Sequence, residues 1–164
     1  MRRLKIYLDT SVINFLFAED APEKRLITID LFENFIKTER FDTFISPMVI
    51  TEINATRDSQ KKHKLLKAVD SYPLRIIPVE QSQDINYLTG LYLKNGVIPR
   101  SKFPDAYHIA ASVVNHIDVL VSWNYKHLAN IQRETKIHLL NIAHNFVHPI
   151  RIVTPMEVLN EENE

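Results

Sequence analysis

Cysteine is absent from this sequence, and its absence excludes disulfides, thiolate nucleophiles and cysteine-ligated zinc. Glycine is nearly absent too, with Gly90 and Gly96 the only two in 164 residues. A phosphate-cradling loop needs glycines clustered between a strand and a helix, so that backbone N–H groups can approach the anion. Neither a P-loop nor a GxGxxG fingerprint can be written here, which removes most nucleotide-binding α/β enzymes. No apolar run reaches the roughly 18 residues of a membrane-spanning helix. The opening stretch MRRLKIYLDTSV has basic residues but no apolar segment long enough for a signal peptide. A cytoplasmic protein with no membrane association is therefore expected. An excess of either charge is also missing, since 20 Lys and Arg balance 20 Asp and Glu. Proteins that coat duplex nucleic acid carry a basic excess, so a stoichiometric DNA-binding role is disfavoured. A nuclease is less affected, because carboxylates in its site offset its own basic contacts.

What is present suits one globular domain. Hydrophobic residues make up 45% and charged residues 24%, ordinary values for a core with a solvated surface. The expectation is a single domain over residues 1–159, with a frayed acidic tail at 160–164. Short β-rich runs occur at 5–8, 43–45, 74–77, 119–121 and 150–153. Between them lie segments with helical periodicity. Apolar side chains recur over 11–18. Asp20-Ala-Pro22-Glu23 resembles a helix start, and Leu26, Ile29, Leu31, Phe32, Phe35 and Ile36 follow on one face. Ser46-Pro47 supplies a hydroxyl cap and a proline for the first turn of another helix. Further helices are expected from Lys61 to Ala68, over 82–95 with a stop at Asn95-Gly96, from Phe103-Pro104 to about His116, and over 136–147. Thr154-x-x-Glu157 has the spacing of a capping box. Strands of three to five residues alternating with helices argue for βα units and a three-layer α/β/α fold on a parallel sheet of four or five strands.

The acids fall at informative places. Asp9 directly follows the first strand. Glu52 sits in the helix after the second, Asp105 is in the first turn of the helix opened by Pro104, and Asn124 follows the fourth strand after Ser122-Trp123. Ligand sites of open α/β sheets gather beyond the carboxyl ends of the strands, where Asp9 and Asn124 are placed and where Glu52 and Asp105 can lean in. Carboxylates that converge without lysine partners repel one another unless a cation joins them. An all-oxygen set points to Mg²⁺ or Mn²⁺ rather than zinc. Each residue has a bland alternative. Asp9 in Asp-Thr-Ser can simply cap a helix. Glu52 can be a solvated helix residue, and Asp105 can answer the helix dipole. His108, one turn after Asp105, reads as packing in preference to a support for that acid. Lys61-Lys62-His63-Lys64 reads as a solvated helix face.

The ordered set resembles the PIN domain. YLDTSVINF, SPMVITEI, FPDAYHIAAS and VLVSWNYKHL are similar to its motifs, in the form found in toxins of the virulence-associated C type, and together span about residues 5–128. The resemblance implies a metal-dependent endoribonuclease with Asp9, Glu52 and Asp105 as its metal-binding acids and Ser11 supporting the first. From the chemistry of the acids, Asp9 and Asp105 are expected to hold the principal ion and Glu52 to order its waters or polarise the nucleophile. It also implies an RNA substrate and an antitoxin protein as partner. A homodimer is the competing use of the apolar surface expected around Phe15, Leu16 and Phe17. Asn124 departs from the pattern, since many PIN domains carry a fourth acid there, and this puts a second metal in doubt. The acids are expected to share one crevice, with Asn124 on its rim and their pKa values raised by mutual repulsion. A catalytically weakened PIN domain acting as a protein- or RNA-binding module is the alternative. A dehalogenase-type phosphatase would need an acid where Ser11 stands, and a receiver domain would need an acidic pair where Leu8 precedes Asp9.

Overall fold

The computed structural model describes residues 2–124 and 130–162. The chain runs β1 (Lys5–Leu8), α1 (Thr10–Phe15), α2 (Pro22–Leu31), β2 (Asp42–Ile45), α3 (Pro47–Asn54), α4 (Ser59–Ser71), β3 (Leu74–Ile76), α5 (Ser82–Lys94), α6 (Phe103–Val114), β4 (Val119–Val121), α7 (Ile131–Ala143), β5 (Arg151–Val153) and α8 (Pro155–Glu162). The five strands form one sheet in the order β3-β2-β1-β4-β5, and every pairing is parallel. Short strands fit this arrangement because a parallel sheet covered by helices needs continuously apolar strands. Ile6, Tyr7 and Leu8 of β1 are each 1% exposed or less, and Val119, Leu120 and Val121 of β4 are buried.

Strand order decides where the site lies. From β1 the chain steps outward through β2 to β3, then returns to place β4 on the other side of β1. The gap beyond the carboxyl ends of β1 and β4 is thus a topological switch point, the usual crevice for ligands. Register sharpens this. Leu8 pairs with Val121, so the next residues, Asp9 and Ser122, leave the sheet side by side.

Several local expectations shift. The second helix starts from Ala21 with Pro22 in its first turn, so Asp20 is not its cap. Leu26 is 67% exposed and lies off the core face. The helix widens at Phe32–Ile36, where the Lys37 N–H reaches the Phe32 carbonyl five residues back at 2.8 Å. That wide turn moves Phe32, Phe35 and Ile36 inward together, all 5% exposed or less. The late helix begins at Ile131 instead of 136, because Asn130 accepts a hydrogen bond from the Arg133 N–H and starts it early. The reciprocal capping box is present, with Thr154 Oγ1 accepting from the Glu157 N–H and Glu157 Oε2 from the Thr154 N–H, both at 3.3 Å. The helix it opens carries Asn160, Glu161 and Glu162, and Arg151 pairs with Glu161 at 2.7 Å. Residues 160–162 are therefore part of this helix, while 163 and 164 lie outside the described residues. Among the described residues no helix is long and apolar enough to cross a membrane.

The two glycines make opposite demands. Gly96 follows α5 at φ +68, a conformation that costs an L-residue roughly 1 kcal/mol or more. Gly90 lies exposed within α5, with nothing within 4 Å of an added Cβ. Gly90→Ala should therefore raise stability by about 0.5–1 kcal/mol, and Gly96→Ala should lower it by about 1 kcal/mol. Urea denaturation of the two variants reads both signs, and a stabilising Gly96→Ala would contradict the backbone assignment.

Candidate active site

Asp9 is 2% exposed at the first residue beyond β1, in the N-cap position of α1. Its side chain makes no capping hydrogen bond. Instead, the Ser11 hydroxyl donates to Oδ1 at 2.5 Å, and the Ser122 hydroxyl donates to Oδ2. The proton directions follow from what lies behind each serine. The Trp123 N–H donates to Ser11 Oγ at 3.0 Å, and the Asn124 N–H donates to Ser122 Oγ at 2.9 Å. Each hydroxyl therefore accepts from backbone and gives its own proton to the carboxylate. Burial pushes the Asp9 carboxyl above its ordinary range. His108 and the two hydroxyls pull it back, and Asp105 pushes it further up. Among the described residues no Lys or Arg forms an ion pair with Asp9.

Glu52 is brought to the same place from α3. The Thr10 hydroxyl, on the residue after Asp9, donates to Glu52 Oε1 at 2.7 Å. His108 Nε2 donates to the same oxygen, also at 2.7 Å. Burial raises the Glu52 carboxyl, but its hydrogen bond and charge interaction with His108, with Thr10 added, leave it below its ordinary value. The expectation that every acid would be raised fails here, since His108 answers the charge that a neighbouring acid would have opposed. His108 is 1% exposed and reaches back through Nδ1 to the Tyr7 hydroxyl at 2.6 Å, which meets Ser46 Oγ at 2.7 Å. His108 therefore does more than pack, since both ring nitrogens are hydrogen-bonded. Ser46 in turn is the N-cap residue of α3 without a side-chain cap bond, because its hydroxyl serves Tyr7.

Asp105 stands half-buried in the first turn of α6, on the helix face that carries His108 one turn later. Asn124 is exposed just past β4. The remaining part of the VLVSWNYKHL segment, 125–128, lies outside the described residues. Among the described residues no three His, Asp or Glu side chains stand close enough together to hold an ion. Asp105 acts on Asp9 through its charge, and Glu52 is held on His108. Reading the sequence missed Ser122, Thr10, Tyr7 and His108 as members of the site. Only Ser122 carried a local signal, as the first polar residue after a buried strand.

At the rim, the Phe15 and Trp123 rings lie 5.7 Å apart, and Lys24 Nζ sits 5.4 and 5.3 Å from their centroids. The Trp123 indole N–H donates to Thr28 Oγ1 at 2.9 Å, which fixes that ring.

With this geometry established, similarity to known proteins becomes informative. No family model matches the sequence. Comparison with curated proteins finds no match either. Among solved structures, the chain is similar to a chain of DNA-bound VapBC from Salmonella typhimurium, at 16% identity and TM-score 0.56, covering 93% of this chain and 98% of that one. It is also similar to a chain of VapBC2 from Rickettsia felis bound to a DNA fragment from their promoter, at 15% identity and TM-score 0.51, covering 76% and 93%. This chain has a PIN-like fold. In the PIN-like fold of this chain, Asp9 occupies the switch point and Asp105 and Glu52 come from the two helices that flank it.

The two acids should respond oppositely to pH. Asp9 is raised in the folded state, so its ionisation opposes folding once pH climbs past the unfolded carboxylate range. Asp9→Asn should therefore raise thermal stability at pH 7, and this gain should shrink as pH falls below about 4. Glu52 is lowered, so its ionised form favours folding, and that contribution is lost as pH falls through its folded value. Glu52→Gln should lower stability at pH 7 and converge on wild type in acid. Melting curves at pH 3.5 and 7 test both, and equal signs at pH 7 would refute the assignment.

Proposed function

We propose that the protein is a metal-dependent endoribonuclease of the PIN type, acting as the toxin of a toxin–antitoxin pair. The observation that carries this reading is Asp9, a buried carboxylate at the switch point that forms no ion pair with Lys or Arg among the described residues and whose charge is opposed by that of Asp105. The charge of a buried carboxylate is costly to hold, and a bound cation would lower that cost. The donor set fits a hard divalent ion. Every candidate ligand is oxygen, each Asp9 oxygen keeps a lone pair beyond the one its serine occupies, and an ion bound by few carboxylates keeps its own waters. Asp9 and Asp105 would hold Mg²⁺ or Mn²⁺, Ser11 supports Asp9, and Asn124 offers a neutral oxygen at the edge. When bound, the ion makes a water more acidic and offsets charge on the scissile phosphate.

The chain's own residues supply the rest. Ser11 and Ser122 fix both Asp9 oxygens, so the carboxylate cannot rotate away. Glu52, ionised and half-buried, orders the attacking water and takes up one of its protons. The water oxygen bonds to phosphorus, one ester P–O bond breaks, and the departing ribose oxygen takes a proton from solvent. Phe15, Trp123 and Lys24 give the rim two aromatic faces and a cation, a combination suited to unstacked bases and their phosphates.

A protein partner fits the surface beside the site. Leu16 is buried, while Phe15 turns toward Trp123 and Phe17 lines a groove of about 520 Å³ between α1, α2 and α4. Its floor includes Leu16 and Ile29, and Arg25, Lys64 and Lys67 stand along it. An antitoxin segment with apolar and acidic side chains matches that lining. A homodimer is the second reading, and light scattering of the isolated chain separates the two.

Cleavage of a mixed RNA substrate with Mn²⁺, with Mg²⁺ and with EDTA tests the activity. Wild type should cleave only with metal, and Asp9→Asn should reduce the rate by more than about 100-fold. Asn124→Asp should shift the metal titration to lower concentration. Metal-independent cleavage that survives Asp9→Asn would overturn the mechanism. A folded wild type with no cleavage under any metal would favour the binding-module alternative.

A further inference from the structure

Three polar side chains lie beneath the site without access to solvent. Tyr7 in β1, Ser46 before α3 and His108 in α6 are each 1% exposed or less. Apolar side chains would fill the same space with no hydrogen bond to satisfy. Ser46 also forgoes the helix cap that its position offers. The hydrogen bonds run in a single line from Ser46 Oγ to Tyr7 OH at 2.7 Å, to His108 Nδ1 at 2.6 Å, and from Nε2 to Glu52 Oε1 at 2.7 Å.

One end of that line is fixed by chemistry. An ionised carboxylate only accepts, so His108 Nε2 carries a hydrogen whether the ring is neutral or cationic. The Tyr7 and Ser46 hydroxyls can rotate to meet Nδ1 in either state, so the ring stays anchored from behind. Thr10 donates to the same Glu52 oxygen from the other side. Both donors therefore act on Oε1, and no described residue hydrogen-bonds to Oε2.

We propose that His108 is a positioning residue, which with Tyr7 and Ser46 behind it pins Glu52 through Oε1 and reserves Oε2 for water in the crevice. The inference rests on the ribonuclease reading for its catalytic consequence, while the pinning itself stands on geometry. A purely structural role predicts that any substitution which preserves folding preserves activity. Positioning predicts dependence on one N–H at one place, the arrangement by which supporting partners orient functional groups elsewhere.

The test compares His108→Gln, His108→Leu and Tyr7→Phe with wild type. Glutamine can place an N–H close to the Nε2 position, and leucine cannot. His108→Leu should lower kcat for RNA roughly 10–100-fold with KM within about twofold, and His108→Gln should recover most of the loss. Tyr7→Phe, which frees Nδ1, should lower kcat less than His108→Leu. In parallel, ¹⁵N-edited NMR of histidine-labelled protein should show a slowly exchanging Nε2–H in wild type that is lost in Glu52→Ala. Wild-type kcat in folded His108→Leu, failure of His108→Gln to exceed His108→Leu, or a rapidly exchanging Nε2–H would each overturn the positioning role. If His108→Leu does not fold, the His108→Gln and Tyr7→Phe kinetics and the NMR signal still decide. Absence of RNA cleavage by wild type, with the Nε2–H present and lost in Glu52→Ala, would instead overturn the ribonuclease reading and leave the pinning intact.

Discussion

A carboxylate held almost fully buried where β1 and β4 part company is the constraint on which the rest of this structure depends. Burying an acid beside a second acid opposes folding unless donors surround it. The fold meets that demand with two serines from different strand ends, and each serine is aimed by a backbone N–H behind it. None of this works unless Leu8 lies opposite Val121. A slip of one residue in that pairing would carry Ser122 away from Asp9 and flip every side chain of a strand buried on both faces. The register of the central strands and the wiring of the acid are the same fact seen at two scales.

The helix starts show how local preference yields to the site. Far from the crevice, caps behave as residue preferences predict. Asp58 accepts from the N–H groups of Gln60 and Lys61, and Asn130 from that of Arg133. At the crevice they do not. Asp9 and Ser46 both occupy N-cap positions and both turn their side chains elsewhere, at a cost of about 1 kcal/mol per forgone cap. Asp9 turns to Ser11 and Ser122, and Ser46 turns to Tyr7. The likeness to solved VapBC chains at 15–16% identity is a likeness of fold, which can persist where few side chains are shared.

Acid chemistry within the site is divided by its surroundings. Asp9 is raised mainly because it is buried, and Glu52 is lowered because His108 and Thr10 overcome its burial. Two carboxylates, one on Asp9 and one bonded to the neighbouring Thr10, thus take different characters, the first raised and the second lowered.

The alternation of apolar strand runs with amphipathic helices, read from composition and periodicity, was enough to specify a parallel sheet of four or five strands, and five are present, because a sheet buried on both faces needs continuously apolar runs such as VLV. The placement of Asp9 at a strand end, the proline at the start of α3 and the stop at Gly96 were equally legible, since each depends on neighbours along the chain. The early start of α7, the wide turn at Phe32–Ile36 and the helical 160–162 were not, because competing caps and core packing decide them. The site divides in the same way. Sequence named the candidate acids, Asp9 just past a strand, Glu52 within a helix and Asp105 in a helix's first turn. Only the tertiary structure could pair Ser122 with Asp9 across 113 positions, His108 with Glu52 across 56 and Tyr7 with His108 across 101. Hydrogen bonds at such separations are set by strand order and register, and no local periodicity encodes them.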